Sequence, residues 1–123
     1  MLGNANLVAF AATADAARSR AFYERSLGLR LVTDDQFAVV FDCNGTQLRI
    51  QKVKAVQPPS FTVLGWRVPN IREVVTGLTQ RGVMFERYGF MQQDDLGIWL
   101  APSGAKVAWF KDPDGNVLSV TEA

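Results

Sequence analysis

The side chains of this chain best suited to holding a ligand are two arginines, Arg49 and Arg67, each within a stretch that reads as a strand. A guanidinium group presents a planar fork of N–H donors, which suits a carboxylate, a phosphate or an enolate-like oxygen. The other interpretation is that each arginine extends to solvent or pairs with an acid such as Asp94 or Asp95. If the arginines do face a ligand, that ligand is neutral or anionic rather than cationic.

The sequence contains no histidine, the commonest transition-metal ligand and the commonest general acid or base near neutral pH. Metal or triad chemistry would therefore depend on other side chains. Cys43 is the only cysteine, so no intrachain disulfide can form, and no histidine is available to activate its thiol. We interpret Cys43 as a structural or incidental thiol.

Composition limits the class of protein and its partners. With 123 residues, 48% of them hydrophobic, and no apolar run near the roughly 18 residues that cross a bilayer, a single soluble domain over residues 1–123 is expected. Thirteen Lys and Arg against twelve Asp and Glu are interspersed, so neither nucleic acid nor membrane is an expected partner. The N-terminus lacks a basic stretch followed by an apolar segment, and a cytoplasmic location is expected.

The chain repeats one pattern in its two halves. Residues 42–50 and 112–120 both read as an Asp, a turn ending in glycine, and an alternating strand. The short strand-like runs 37–41 and 107–111 precede these turns, so each copy predicts a β-hairpin. This repetition indicates an internal duplication.

Each half also predicts a strand followed by a helix. Asp15 and Asn70 are candidate N-caps, and Gly28 and Gly82 are the expected helix stops. Both halves then share the order strand, helix, and strands ending in a hairpin. The predicted boundaries are about residues 4–54 for the first module and about 60–123 for the second.

The second half is longer, and its additional residues lie between Arg87 and Ala105. This segment is rich in aromatic, amide and acidic residues, a mixture suited to contacting a ligand from a loop. The alternative is an extra strand and hairpin that packs Phe90 and Trp99 into the core.

Residues 18–29, which read as a helix ending in Leu-Gly-Leu, and residues 107–116, which end in Asp-Pro-Asp-Gly-Asn, carry a family resemblance. With two βαβββ modules, the chain resembles the vicinal oxygen chelate superfamily, which includes glyoxalase I, bleomycin resistance proteins and extradiol dioxygenases. The resemblance implies an α+β fold in which tandem modules form a cup-shaped mixed sheet with helices outside and a ligand pocket on its concave face. It also implies a homodimer, although nothing in the sequence locates an interface.

In metal-dependent members of that superfamily, each module supplies one ligand from its first strand and one from its last. The matching positions here are Val8 and Val63 in the first strands and Arg49 and Ser119 in the last. Two valines offer no lone pair, an arginine adds positive charge, and a lone serine hydroxyl is a poor ligand for a divalent cation. We therefore predict no metal and no other cofactor, which disfavours a metal-dependent glyoxalase or dioxygenase.

The two hairpin turns together contain enough oxygen ligands to suggest a second kind of metal site. Its members would be Asp42, Cys43, Asp112 and Asp114. Both segments are more typical of turns in which Asp and Asn side chains bond their own backbone.

Strand alternation, anchored on the family's inward-facing ligand positions, predicts which side chains face the pocket. The predicted inward set is Val8, Phe10, Ala12, Gln47, Arg49, Gln51, Phe61, Val63, Gly65, Arg67, Val117, Ser119 and Thr121. The residues expected to contact a ligand are Phe10, Gln47, Arg49, Gln51, Arg67, Trp99 and Ser119. Either Trp109 or Phe110 could face inward, and the sequence does not decide between them.

Three functions are compatible with the sequence. The first is metal-independent binding of a small neutral or anionic, planar organic molecule, as in sequestration or carriage by bleomycin resistance proteins, although bleomycin itself is cationic. The second is a cofactor-free lyase, isomerase or hydrolase in which Asp94 or Asp95 is the general base and Arg49 stabilises an oxyanion. That base would need a raised pKa, from desolvation or from its acidic neighbour. The third is a dimerising module.

Overall fold

The computed structural model describes residues 1–123, which form two compact units, Met1–Gln57 and Pro58–Ala123. These units are called module 1 and module 2 below. Each contains one four-stranded mixed sheet and one main helix, so the predicted α+β fold with tandem βαβββ modules is confirmed. None of the helices has both the length and the apolar character needed to span a membrane.

Module 1 begins with a short 3₁₀ helix and then follows the predicted order. Its elements are the 3₁₀ helix Leu2–Asn4, β1 Val8–Thr13, α1 Ala16–Ala21 with a π-helical continuation Phe22–Ser26, β2 Arg30–Asp34, β3 Ala38–Cys43 and β4 Thr46–Lys52. The strand order is β1-β4-β3-β2, in which β1 runs parallel to β4 and the other pairs are antiparallel.

Module 2 repeats this topology with strand order β5-β8-β7-β6. Its elements are β5 Thr62–Arg67, α2 Ile71–Gln80, β6 Trp99–Leu100, β7 Lys106–Lys111 and β8 Val117–Glu122. The strand β6 is the counterpart of β2 but has only two residues, and a long irregular segment, residues 81–98, precedes it. The alternative of an extra strand that buries Phe90 is wrong, because Phe90 is 83% exposed.

Both helices begin and end at the predicted residues. The side chain of Asp15 accepts a hydrogen bond from the backbone N–H of Arg18, and Asn70 accepts one from the N–H of Glu73, each at 3.2 Å. These bonds satisfy amide donors that a helix cannot satisfy internally. Gly28 and Gly82 follow the helix ends with φ of 77° and 91°, the left-handed conformation that glycine adopts readily.

The first hairpin is a two-residue turn. Asn44 and Gly45 have φ of 51° and 94°, and Cys43 pairs with Thr46 across the turn. Positive φ at both central residues matches the turn type whose twist suits a β-hairpin. Asp42 lies within β3, with its carboxylate 3.5 Å from Arg30, so the predicted turn role of Asp42 is wrong.

The second hairpin has a longer loop that the side chain of Asp112 organises. Its Oδ1 accepts hydrogen bonds from the backbone N–H of Asp114 and of Asn116, each at 2.9 Å. Its Oδ2 accepts a third from the Asn116 side-chain amide at 2.8 Å, and both residues are buried. The predicted turn role of this Asp is confirmed.

The core of each module lies between one sheet face and its helix. In module 1, Leu48 and Ile50 are buried on the same face as Phe41, whose ring centroid lies 5.8 Å from that of Tyr23 on the π-helical turn. In module 2, the corresponding buried residues are Leu118, Val120, Ala108 and Phe110, with Ile71 and Val75 from α2. Each large apolar side chain buried in this way contributes about 1.5–3 kcal/mol.

Candidate functional site

The sheet face of module 1 that is turned away from α1 carries the predicted polar set. Val8 pairs with Gln47, Phe10 with Arg49 and Ala12 with Gln51 in the parallel register of β1 and β4. Paired residues of neighbouring strands share a face, so these six side chains lie together. They define the helix-distal face of module 1, on which Phe10 is 51% exposed.

Arg49 on this face forms no ion pair, and no carboxylate oxygen lies within 4 Å of its guanidinium. The nearby Asp35 instead accepts hydrogen bonds from the backbone N–H of Phe37 at 2.8 Å and of Ala38 at 3.0 Å. These bonds lower the pKa of the Asp35 carboxyl, and the charges of Arg49 and Lys52 lower it further. The guanidinium of Arg49 therefore keeps its donors available.

The helix-distal face of module 2 brings together three predicted site residues. Gly65 pairs with Ser119, which pairs in turn with Trp109. The next row on the same face consists of Arg67, Thr121, Val107 and Trp99. Arg67, Trp99 and Ser119 therefore share one sheet face.

The alternation predicted for β5 fails near its start. A register shift between Thr62 and Leu64 sets Thr62 beside Val117, while Leu64 pairs with Leu118 on the helix side. Phe61 lies before the strand and is 69% exposed. The predicted inward placement of Phe61 is wrong, because a bulge of this kind resets the period-2 pattern.

Four aromatic rings cluster on this side of module 2. The Trp109 ring lies 5.9 Å from Trp99 and 5.7 Å from Tyr88, and the Tyr88 ring lies 5.7 Å from Phe90. The indole Nε1 of Trp109 also donates a 3.1 Å hydrogen bond to Thr62 Oγ1. Trp109 thus faces this side, whereas Phe110 is buried on the helix side. The feature that identifies Trp109, rather than Phe110, as the aromatic residue on this face is its pairing with Ser119 across the second hairpin.

Ser119 is only 7% exposed, and its hydroxyl makes no hydrogen bond within the protein. A Cβ built on Gly65 would lie 2.8 Å from Ser119 Oγ. The absence of a side chain at Gly65 therefore gives the Ser119 hydroxyl its room.

Side chains of the irregular segment hold Tyr88 in position. The side-chain amide of Gln93 accepts from the backbone N–H of Tyr88 at 2.8 Å and donates to the carbonyls of Glu86 and Gly97, each at 2.9 Å. Burial, reinforced by the Glu86 charge, raises the pKa of the Tyr88 phenol. Tyr88 therefore stays protonated at neutral pH, and the segment keeps its ring against Trp109.

The two acids considered as general bases lie in this segment. Asp94 Oδ1 accepts hydrogen bonds from the backbone N–H of Leu96 and of Ile98, each at 2.9 Å, and its Oδ2 accepts one from Arg72 at 3.1 Å. Asp95 is exposed and lies 3.9 Å from the same arginine. The expectation that these acids pair with Arg49 or Arg67 is therefore wrong, and their partner is Arg72.

Module 2 also has a surface cavity of about 660 Å³ away from its helix-distal face. It is lined by Arg72, Met91, Gln92, Gln93, Asp94, Ile98, Leu100 and Lys106. Its cations already have acidic partners, Asp94 for Arg72 at 3.1 Å and Glu122 for Lys106 at 3.7 Å. Arg67 has no such partner, so we place the candidate site on the helix-distal face.

The sequence profile of the Glyoxalase/Bleomycin resistance protein/Dioxygenase superfamily matches residues 6–120. This chain belongs to that superfamily. Its resemblance to the vicinal oxygen chelate proteins is thereby confirmed. A comparison with curated proteins found no match.

Solved structures of the superfamily share the fold over nearly the whole chain. Lactoylglutathione lyase from Agrobacterium tumefaciens superposes with a TM-score of 0.77 at 19% identity, covering 98% of this chain and 94% of that one. A superfamily member from Sphaerobacter thermophilus DSM 20745 gives a TM-score of 0.74 at 25% identity, covering 96% of both chains. A glyoxalase family protein from Enterococcus faecalis gives 0.70 at 22% identity, covering 95% and 94%.

The residues at the superfamily's metal positions do not suit a divalent cation. Arg49 and Ser119 occupy the two last-strand positions, and Val8 lies on β1. The polar groups at these positions are therefore a positively charged guanidinium, which repels a metal ion, and a single hydroxyl, which is a poor ligand. Neither module brings together three His, Cys, Asp or Glu side chains that could hold an ion. The chemistry of this superfamily member must therefore be argued from its own side chains.

Proposed function

We propose that this superfamily member binds a small neutral or anionic, planar organic molecule without a metal ion, on the helix-distal face of module 2. The observation that carries the proposal is the position of Arg67. Its guanidinium forms no ion pair and shares a row with Trp99, whose ring lies against Trp109. Arg67 lies on β5, and the Trp109 indole extends towards β5 through its bond to Thr62. A free guanidinium and indole surface on one face suit an anionic group attached to a flat ring.

The mixture of aromatic and polar side chains on this face is typical of a ligand-binding surface rather than of a protein core. The face carries two indole rings, a free guanidinium and the hydroxyls of Ser119 and Thr121, a combination typical of small-molecule sites and unusual in an apolar core. A cationic ligand would be repelled by Arg67. The helix-distal face of module 1 has the same character, with Phe10, Gln47, Arg49 and Gln51 as its proposed contacts.

The role that fits these side chains is sequestration or carriage. No activated nucleophile lies on this face, and the carboxylate of Asp94 is already engaged by two backbone amides and Arg72. Binding requires only the ring surfaces and polar contacts described above. No observation favours a cofactor-free reaction over binding.

The test is a ligand panel of aromatic carboxylates, neutral planar compounds and aromatic cations, read out by the melting temperature Tm and by quenching of tryptophan fluorescence. We expect anionic and neutral planar compounds to raise Tm and aromatic cations to leave it unchanged. Arg67→Gln should abolish the preference for anions. Arg81→Gln, which removes an exposed arginine at the end of α2, is the matched control.

Two further measurements separate binding from catalysis and from metal dependence. Product analysis after prolonged incubation should recover the ligand unchanged, and turnover would overturn the binding role. Elemental analysis of the purified protein tests the metal-free premise. Stoichiometric metal whose removal abolishes ligand binding would contradict the proposal.

A further inference from the structure

The hydroxyl of Ser119 is a buried polar group without a partner in the protein. Ser119 is 7% exposed, its Oγ neither donates nor accepts a hydrogen bond within the chain, and it stands over Gly65, where a Cβ would come within 2.8 Å. Because the residue is mostly but not completely buried, a ligand oxygen that reaches this hydroxyl forms a hydrogen bond for which water competes less than at an exposed site.

The surroundings of this hydroxyl are aromatic on one side. Trp109 lies on β7 and bonds to Thr62 on β5, with β8 between these two strands, so its indole extends across β8 on the helix-distal face. Ser119 lies on β8 opposite Trp109. The Ser119 hydroxyl is therefore at the edge of a ring surface that continues to Trp99.

The residue that carries the free cation lies close to Ser119 along the sheet. Gly65 pairs with Ser119, and Arg67 pairs with Thr121, two residues further along both strands. Two residues of a strand span about 6.6 Å. Arg67 is thus one strand across and two residues along from Ser119, near enough for its side chain and the Ser119 hydroxyl to contact opposite ends of one substituted benzene ring.

Resting on the proposed function, we propose that the ligand is an aromatic carboxylate with a hydroxyl or carbonyl oxygen on the opposite side of its ring. The carboxylate binds Arg67, the ring packs against Trp109, and the opposite oxygen bonds to Ser119 Oγ. Gly65 is a specificity-determining position, because any side chain there would displace the Ser119 hydroxyl.

The experiment compares 4-hydroxybenzoate with benzoate by isothermal titration calorimetry. The wild-type protein should bind 4-hydroxybenzoate about five- to tenfold more tightly, the effect of one buried hydrogen bond. Ser119→Ala should abolish this preference, so that the two compounds bind with similar affinity. Gly65→Ala should reduce the preference as well, whereas Arg67→Gln should weaken both compounds by a similar factor.

Ser60→Ala, which removes an exposed serine hydroxyl, is the matched control and should keep the wild-type preference. Circular dichroism and Tm of each variant show that the fold is retained. A preference that survives Ser119→Ala overturns the hydroxyl contact and leaves the binding function standing. If other planar anions bind but benzoate and 4-hydroxybenzoate do not, the proposed ligand class is wrong, while the proposed binding function stands. If no compound of the wider panel binds, the proposed function fails with it.

Discussion

The indole Nε1 of Trp109 donates a hydrogen bond to Thr62 Oγ1 across 3.1 Å, from one strand of the module 2 sheet to a strand that is not its neighbour. The bond anchors the indole across β8, and the ring centroid lies 5.9 Å from that of Trp99. It depends on the bulge at the start of β5, since the register shift there sets Thr62 beside Val117. A local irregularity of one strand therefore fixes the aromatic surface of the candidate site.

Thr62→Val should release this ring while preserving side-chain shape. Because the bond is exposed to solvent, we expect the free energy of unfolding to fall by only about 0.5–1 kcal/mol. The tryptophan signal in near-UV circular dichroism should change, because Trp109 would no longer be fixed against Trp99. Urea denaturation gives the first quantity and the spectrum the second.

The matched control is Thr76→Val, which replaces an exposed threonine on α2 and should leave the near-UV spectrum unchanged. If Thr62→Val also leaves that spectrum unchanged, the bond does not hold the ring.

The sequence is most informative about features that depend on a few neighbouring residues, such as helix caps and turns. The N-caps Asp15 and Asn70 and the turn at Asp112 depend on a few neighbouring residues, and all three are confirmed. The shared face of Phe10, Arg49 and Gln47 followed from period-2 alternation in an uninterrupted strand.

What the sequence could not predict depends on irregular backbone. The pairing of Asp94 and Asp95 with Arg72 requires the path of residues 81–98, which has no helical or strand periodicity to reveal it. The bulge in β5 likewise interrupts an alternation that the sequence suggests is continuous. The choice between Trp109 and Phe110 needed the register of β7 against β8 across a loop longer than two residues.

Gln93→Ala should loosen the segment that carries Tyr88. The Gln93 amide makes three hydrogen bonds to backbone groups, and its loss leaves the Glu86 and Gly97 carbonyls and the Tyr88 amide without it. We expect the free energy of unfolding to fall by about 1–3 kcal/mol, and amide hydrogen exchange to accelerate in residues 86–98.

Gln92→Ala, at an exposed neighbouring amide, controls for removal of a glutamine and should leave exchange unaltered. Unchanged exchange at Tyr88 in the Gln93 variant would show that other contacts hold the segment.

Asp112→Ala should destabilise module 2 through its second hairpin. Removing this buried carboxylate eliminates the hydrogen bonds that it accepts from the backbone N–H of Asp114 and of Asn116 and from the Asn116 side-chain amide. The expected loss in the free energy of unfolding is about 2–4 kcal/mol, which denaturant titration can measure. Asp95→Ala removes an exposed carboxylate instead and should change stability by less than about 0.5 kcal/mol. Equal effects of the two substitutions would contradict a structural role for the Asp112 turn.

Asp34 should make part of the stability depend on pH. Its carboxylate lies 2.6 Å from Lys52 Nζ and 3.1 Å from the guanidinium of Arg20. The hydrogen bond from Lys52 is the main cause of a lowered pKa, Arg20 adds to it, and desolvation opposes it. Because the folded pKa lies below the unfolded value of about 3.9, this carboxylate stabilises the fold above that pH, and the contribution is lost as pH falls through the folded pKa.

Asp34→Asn should therefore lower the free energy of unfolding at pH 7 by about 0.5–1 kcal/mol, the range for largely exposed ion pairs. The difference from the wild-type protein should shrink as pH falls below about 4 and should also shrink in high salt, which screens exposed charges. Urea denaturation from pH 7 to pH 3 measures it, with Asp95→Asn as the control for loss of an exposed carboxylate. A difference that stays constant across this range would mean that Asp34 stabilises the fold through neutral hydrogen bonds rather than through its charge.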